Sequence, residues 1–127
     1  MLITTPISLG ELVDKISILK IKKKNISDSS KLDHVNKELK FLQNTLNESI
    51  KENEISTYLE NLISINSKLW IIEDDLREFE RKKIFDQAFV DLARSVYFTN
   101  DERAKVKNDI NRTFGSELVE VKSYEEY

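Results

Sequence analysis

The sequence predicts an all-α protein: an antiparallel helical bundle of about five helices, built on a long coiled-coil-like hairpin and ending in an extended C-terminal tail. Three observations carry that expectation. Two glycines and one proline in 127 residues leave long stretches without a break. Apolar residues recur at spacings of three and four along most of the chain. Ser, Thr or Asp stands where each such run begins, in position to cap a helix.

The first helix, about residues 8–26, opens at "PISLGEL". Ser8 and Glu11 have the spacing of a capping box, with Ile7 and Leu12 placed as a hydrophobic staple. Leu9, Leu12, Val13, Ile16 and Leu19 then keep to one side. The second helix, about 30–51, carries Leu32, Val35, Leu39, Leu42 and Leu46. The third, about 57–82, starts where Thr57 and Glu60 form another capping box, and its stripe runs through Leu62, Ile65, Leu69, Ile72, Leu76 and Phe79. Two stripes joined by the short link "KENE" read as an antiparallel hairpin with coiled-coil packing. Leu59, Ile63 and Trp70 widen the third helix's apolar face beyond a two-helix seam. That excess supports a bundle and a homodimer.

Asp86 caps a fourth helix, about 86–98, whose core side is Phe85, Phe89, Leu92 and Val96. Thr99 and Glu102 form a further capping box, so a fifth helix is expected over about 100–114, with Gly115 as its left-handed end. The remaining residues, 115–127, alternate apolar and polar and read as an extended tail. The length suits a single domain, 1–127.

Composition narrows the function classes. Charged residues make up 34% with a net charge of −3, and mean hydropathy is −0.47, a pattern of long helices with wet faces and no invitation to nucleic acid. The absence of cysteine excludes disulfides and thiolate metal sites and suits a reducing compartment. No signal-like or membrane-spanning run occurs, so a cytoplasmic protein without membrane insertion is expected. Glycine-rich phosphate loops and nucleophile elbows are missing, and no cofactor or metal is implied.

The acidic run "IEDDLREFE" invites comparison with all-α nucleotide pyrophosphohydrolases, which hold magnesium with acids at helical spacing; Glu11 with Asp14 and Asp75 with Glu78 are such pairs. Acids three or four apart are equally ordinary as solvated ion pairs, and Glu73–Arg77 and Glu78–Lys82 fit that reading. The sharper candidate is the constellation Glu73, Asp74, Arg94, Tyr97, Asp101, Arg103 and Lys107. One version is a structural salt-bridge network in which Glu73 or Asp74 meets the cations across helices. The other is an anion or nucleotide site at the N-terminus of the fifth helix, in a small helical enzyme or binding protein.

Taken together, "GELVDK", "LWIIEDD", "LARSVYFTNDERA" and "GSELVEVKSY" resemble a family of small bacterial α-helical proteins classed only as a domain of unknown function. The resemblance spans nearly the whole chain. It singles out Glu11, Asp14, Lys15, Trp70, Glu73, Asp74, Arg94, Tyr97, Asn100, Asp101, Arg103, Lys107 and Lys122. It brings no established activity, and implies an accessory role linked to surface-polysaccharide synthesis. A non-catalytic helical adaptor with a protein partner is therefore the leading expectation, ahead of the small enzyme.

Overall fold

The computed structural model describes residues 1–127 and is all-α, with four helices and no strand. They are α1 (Leu9–Asn25), α2 (Ser29–Ser49), α3 (Glu52–Lys82) and α4 (Gln87–Phe114). No helix is long and apolar enough to cross a membrane.

The caps at three helix starts are those the sequence offers. Ser8 Oγ accepts from Glu11 N–H at 3.1 Å, Asp28 Oδ1 from Lys31 N–H at 2.9 Å, and Asp86 Oδ1 from Phe89 N–H at 3.1 Å. Only the Ser half of the first capping box forms, because the Glu11 carboxylate turns instead to Lys107 at 2.8 Å. The third helix begins at Glu52, five residues ahead of Thr57 (57 − 52 = 5), and its N-cap Lys51 makes no side-chain cap. Ile55, only 2% exposed, is the reason: the core needs it, and burial of an apolar side chain outweighs a missing cap.

The fifth helix does not exist as a separate element. Residues 100–114 continue α4 without a break, and Thr99 is buried inside the helix instead of capping a new one. The capping box at Thr99 and Glu102 was a local signal, and tertiary packing overrode it. Val96, Thr99, Arg103, Val106 and Ile110 hold an unbroken three-four spacing, so a straight helix keeps one face toward its neighbours throughout. Gly115 does end the helix, at φ +67°.

The coiled-coil hairpin also needs correcting. α2 makes no extended contact with α3; α1 packs against all three other helices, and α3 packs against α4. α1 can do this because it is apolar on more than one side. Leu12, Val13, Ile16, Leu19 and Ile21 are all buried, together with Gly10, Asp14 and Ser17. The stripe of α2 therefore lies on α1, and meets α3 near the connecting turn, where Leu46 and Ile55 join the same core cluster as Leu62 and Ile110. α1 and α4 both pack on α3, burying Leu62, Ile65 and Leu69, while Ile63 and Trp70 stay half-buried.

At 31 residues α3 runs about 46 Å, against about 25 Å for the 17 residues of α1. α3 and α4 thus project past α1 as a two-helix arm. It turns at Lys83, in the left-handed region at φ 55°, and Phe89 packs edge-on against Phe79 and Phe85 at its tip. Residues 116–127 carry no helix or strand and double back along α4, with Glu120 beside Lys107 and Tyr127 beside Tyr97.

Candidate functional site

Gly10 sets the geometry. A Cβ built there would lie 2.5 Å from the Lys107 carbonyl oxygen, so only glycine lets α1 and α4 approach this closely. The crossing satisfies the open amides of α1's first turn. Leu9 N–H donates to Ser116 Oγ at 3.3 Å and Gly10 N–H to Asn111 Oδ1 at 2.7 Å, while Glu11 N–H is held by Ser8.

One turn further, the helices bring a carboxylate and a guanidinium together. Asp14 is fully buried, and its Oδ2 accepts from both Nε (3.1 Å) and Nη2 (2.9 Å) of Arg103. Its Oδ1 accepts from Asn66 Nδ2 at 2.8 Å. Asn66 Nδ2 also donates to Ser17 Oγ at 2.7 Å, and Ser17 returns its own proton to the Asp14 carbonyl at 2.6 Å. Three helices therefore meet on one buried charge that is paired and hydrogen-bonded, the condition under which burial is tolerated.

Lys107, 4% exposed, lies a turn beyond Arg103. Its ammonium stands 2.8 Å from Glu11 Oε2, 3.1 Å from Glu120 Oε2 and 3.8 Å from Asp14 Oδ2. Burial alone would push its pKa down, but Glu11, Glu120 and Asp14 outweigh it and hold the ammonium above the ordinary lysine value. Pairing with Lys107 holds Glu11 below its usual range, against burial, and Lys15 at 3.7 Å adds to the effect. Glu120 is lowered as well, first by Lys122 at 2.8 Å and then by Lys107, with burial opposing both. Beside the cluster, Asn111 Nδ2 is buried without a hydrogen-bond partner.

The seven residues expected to form one constellation divide into three groups. Arg103 and Lys107 do come together, but on Asp14, Glu11 and Glu120 instead of Glu73 or Asp74. Arg94, Tyr97 and Asp101 form a surface group with the tail. Arg94 Nε lies 3.4 Å from the Tyr97 hydroxyl and its guanidinium sits over the Phe98 ring, while the Tyr127 hydroxyl donates to Asp101. Glu73 and Asp74 join neither group. Glu73 faces its own helix's Arg77 at 3.8 Å, an exposed pair of the kind its spacing suggested, and Glu78 likewise meets Lys82 at 3.6 Å. Asp74 has no ion pair, and with Glu73 it borders a shallow cleft that also touches Trp70, Asn100 and Arg103.

Asp14, Glu11, Ser17, Asn66 and Glu120 are the residues missing from that constellation. A signal existed for three of them. Asp14 and Ser17 stand among Val13, Ile16 and Leu19, on the apolar side of the helix, where an unpaired charge would be expensive to keep. Glu11 and Asp14 carry the spacing of a metal pair, yet each meets a cation, and no group of three or more His, Asp or Glu is arranged to hold a metal ion.

No curated protein and no solved structure matches this chain. Residues 3–127 match the model of the family described as "Family of unknown function (DUF6165)", and the chain belongs to that family.

Proposed function

We propose that this protein is a non-catalytic helical module, an adaptor or accessory protein whose conspicuous charges hold its own fold together. One observation carries the reading: the two inward cations of α4 are both committed to internal carboxylates, Arg103 to Asp14 and Lys107 to Glu11 and Glu120. A catalytic or anion-binding constellation needs a charged group free to meet its substrate. The expected anion site also required a helix N-terminus at residue 100, and α4 runs through that position. Accessory work beside surface-polysaccharide synthesis, through binding of a protein partner, is the setting that the family resemblance implies.

Replacing Arg103 tests the reading. Arg103→Ala leaves the buried Asp14 carboxylate with Asn66 and Lys107 alone, and stability should fall by about 1–3 kcal/mol. Urea titration with a lowered midpoint is the expected result. An unchanged midpoint would remove Arg103 from the structural role and return it to ligand binding.

A second reading has one specific observation in its favour. Arg103 Nη1 has only a 3.5 Å contact with Asn100, and Arg103 borders clefts on both sides, one with Trp70 and one with Tyr97 and Tyr124. A small phosphate or carboxylate could meet Nη1 without disturbing Asp14. Calorimetric titration with inorganic phosphate separates the two readings: heat that vanishes in Arg103→Ala belongs to the ligand reading, and no heat belongs to the structural one.

A further inference from the structure

The tail is attached in an unusual way. Apart from the Ser116 N–H, which donates to the Asn111 carbonyl at 2.8 Å, no backbone–backbone hydrogen bond involves residues 116–127. Ser116 Oγ, at the root of the tail, accepts from Leu9 N–H at 3.3 Å, and two side-chain anchors hold the part beyond it. Glu120 reaches the buried Lys107 at 3.1 Å. Tyr127 donates to Asp101 and packs its ring at 5.3 Å from Tyr97 and 4.9 Å from Phe98. The fit is loose, since a cleft of about 570 Å³ lies between the tail and α4. Both anchor points are on α4, between residues 97 and 107, and neither depends on the chain that delivers the tail.

Delivery depends on Gly115. The chain leaves α4 there at φ +67°, the conformation that turns it back along its own helix. A Cβ at Gly115 would meet nothing within 4 Å, so a side chain there acts on the backbone conformation alone.

We propose that the α4 groove between Tyr97 and Lys107 is an interface between copies of this chain, which takes the tail of a second copy in exchange for its own. Reciprocal exchange reproduces both anchors twice and needs no new surface, the low-cost route to a two-fold dimer. The balance between closed monomer and exchanged dimer is set by protein concentration against the effective concentration of the tethered tail, and by the turn at residue 115. Any residue that resists positive φ there disfavours the closed form and leaves the trans contacts untouched; β-branched residues resist it most, and valine keeps the N–H that glycine has. This inference is independent of the adaptor reading, since it uses the tail and not Arg103.

Sedimentation equilibrium of the full chain with Gly115→Val tests it, with circular dichroism confirming helix content. The expected result is a dimer whose dissociation constant is at least tenfold below that of the unsubstituted chain. A synthetic peptide of residues 116–127, added in excess, should return it to monomer, and so should Glu120→Lys with Tyr127→Ala in the same chain. A helical Gly115→Val protein that stays monomeric at the highest concentration overturns the proposal, as does a dimer indifferent to the peptide and to the anchor substitutions. A separate measurement covers the case in which valine disturbs folding. The labelled peptide should bind the Glu120→Lys/Tyr127→Ala chain, whose groove is released, more tightly than the unsubstituted chain, and equal or absent binding overturns the proposal.

Discussion

The two ends of the α3–α4 pair are built on different principles. At the base, α1 covers the pair, and the interior holds Leu62 and Ile110 together with a charge cluster on Asp14. In the arm, no residue from 70 to 98 is buried, although Leu76, Phe79, Phe89 and Leu92 have the same spacing as the stripe below them. Identical periodicity thus yields a core in one place and a half-wet seam in the other. What differs is the third layer: two helices alone cannot enclose a side chain, and α1 stops where the arm begins. Stability should be graded the same way, high at the crossing of α1 and α4 and low at the tip near Phe85.

Substitutions at the base should have the largest effects. Asp14→Ala leaves Arg103 half-buried opposite no carboxylate and strands Asn66, and should lower stability by about 3–5 kcal/mol in urea or guanidinium titration. A loss under about 1 kcal/mol would mean that apolar packing alone joins α1 to α4, and would erase the contrast with the arm.

Gly10→Ala comes next. Its methyl group meets the Lys107 backbone carbonyl, which cannot swing aside like a side chain, so the helices must separate, at about 1–3 kcal/mol. Thermal melting checks it, and an unchanged melting temperature would show that the crossing has slack.

The pH profile should show the charge cluster directly. Glu11 and Glu120 are held below the ordinary 4.5, so their contribution is present above that value and is lost as pH falls through the depressed pKa values. Lys107 is held above 10.5, so its contribution is whole below that value and is lost as pH rises through the raised one. Denaturation midpoints should therefore form a plateau from about pH 5 to about pH 10 and fall on both sides. With Lys107→Met both shoulders should flatten; a profile identical to that of the unsubstituted chain would remove the cluster from the stability account.

The arm should give the smallest global effect. Phe89 is only half-buried between Phe79 and Phe85, and Phe89→Ala should cost about 1 kcal/mol. Hydrogen exchange should accelerate at amides near residues 79–93 while those around Ile110 hold their protection. Equal acceleration at both ends would show that arm and base open as one unit.

Much of this was readable from local chemistry. Ser8 and Asp86 cap the helices they were expected to cap, because a capping oxygen needs only the next three amides. Gly115 ends α4 for an equally local reason. The short ion pairs Glu73–Arg77 and Glu78–Lys82 follow from helical spacing alone. The all-α class itself needed nothing more than periodicity and the scarcity of breakers.

Packing decided the rest. Thr99 and Glu102 present the same capping spacing as Ser8 and Glu11, yet only Ser8 caps, since Thr99 lies on a stripe that the neighbouring helices bury. The stripes of α2 and α3 match each other well enough to suggest a hairpin, but apolar faces are not addressed to particular partners, and α1, apolar on more than one side, takes the place between them. The same choice sends Arg103 and Lys107 to Asp14 and Glu11 across residue separations of 89 (103 − 14) and 96 (107 − 11), too far for any local pattern to record. Periodicity reports which side of a helix is buried; which helix buries it is settled by the shape and close approach of whole elements, here through Gly10.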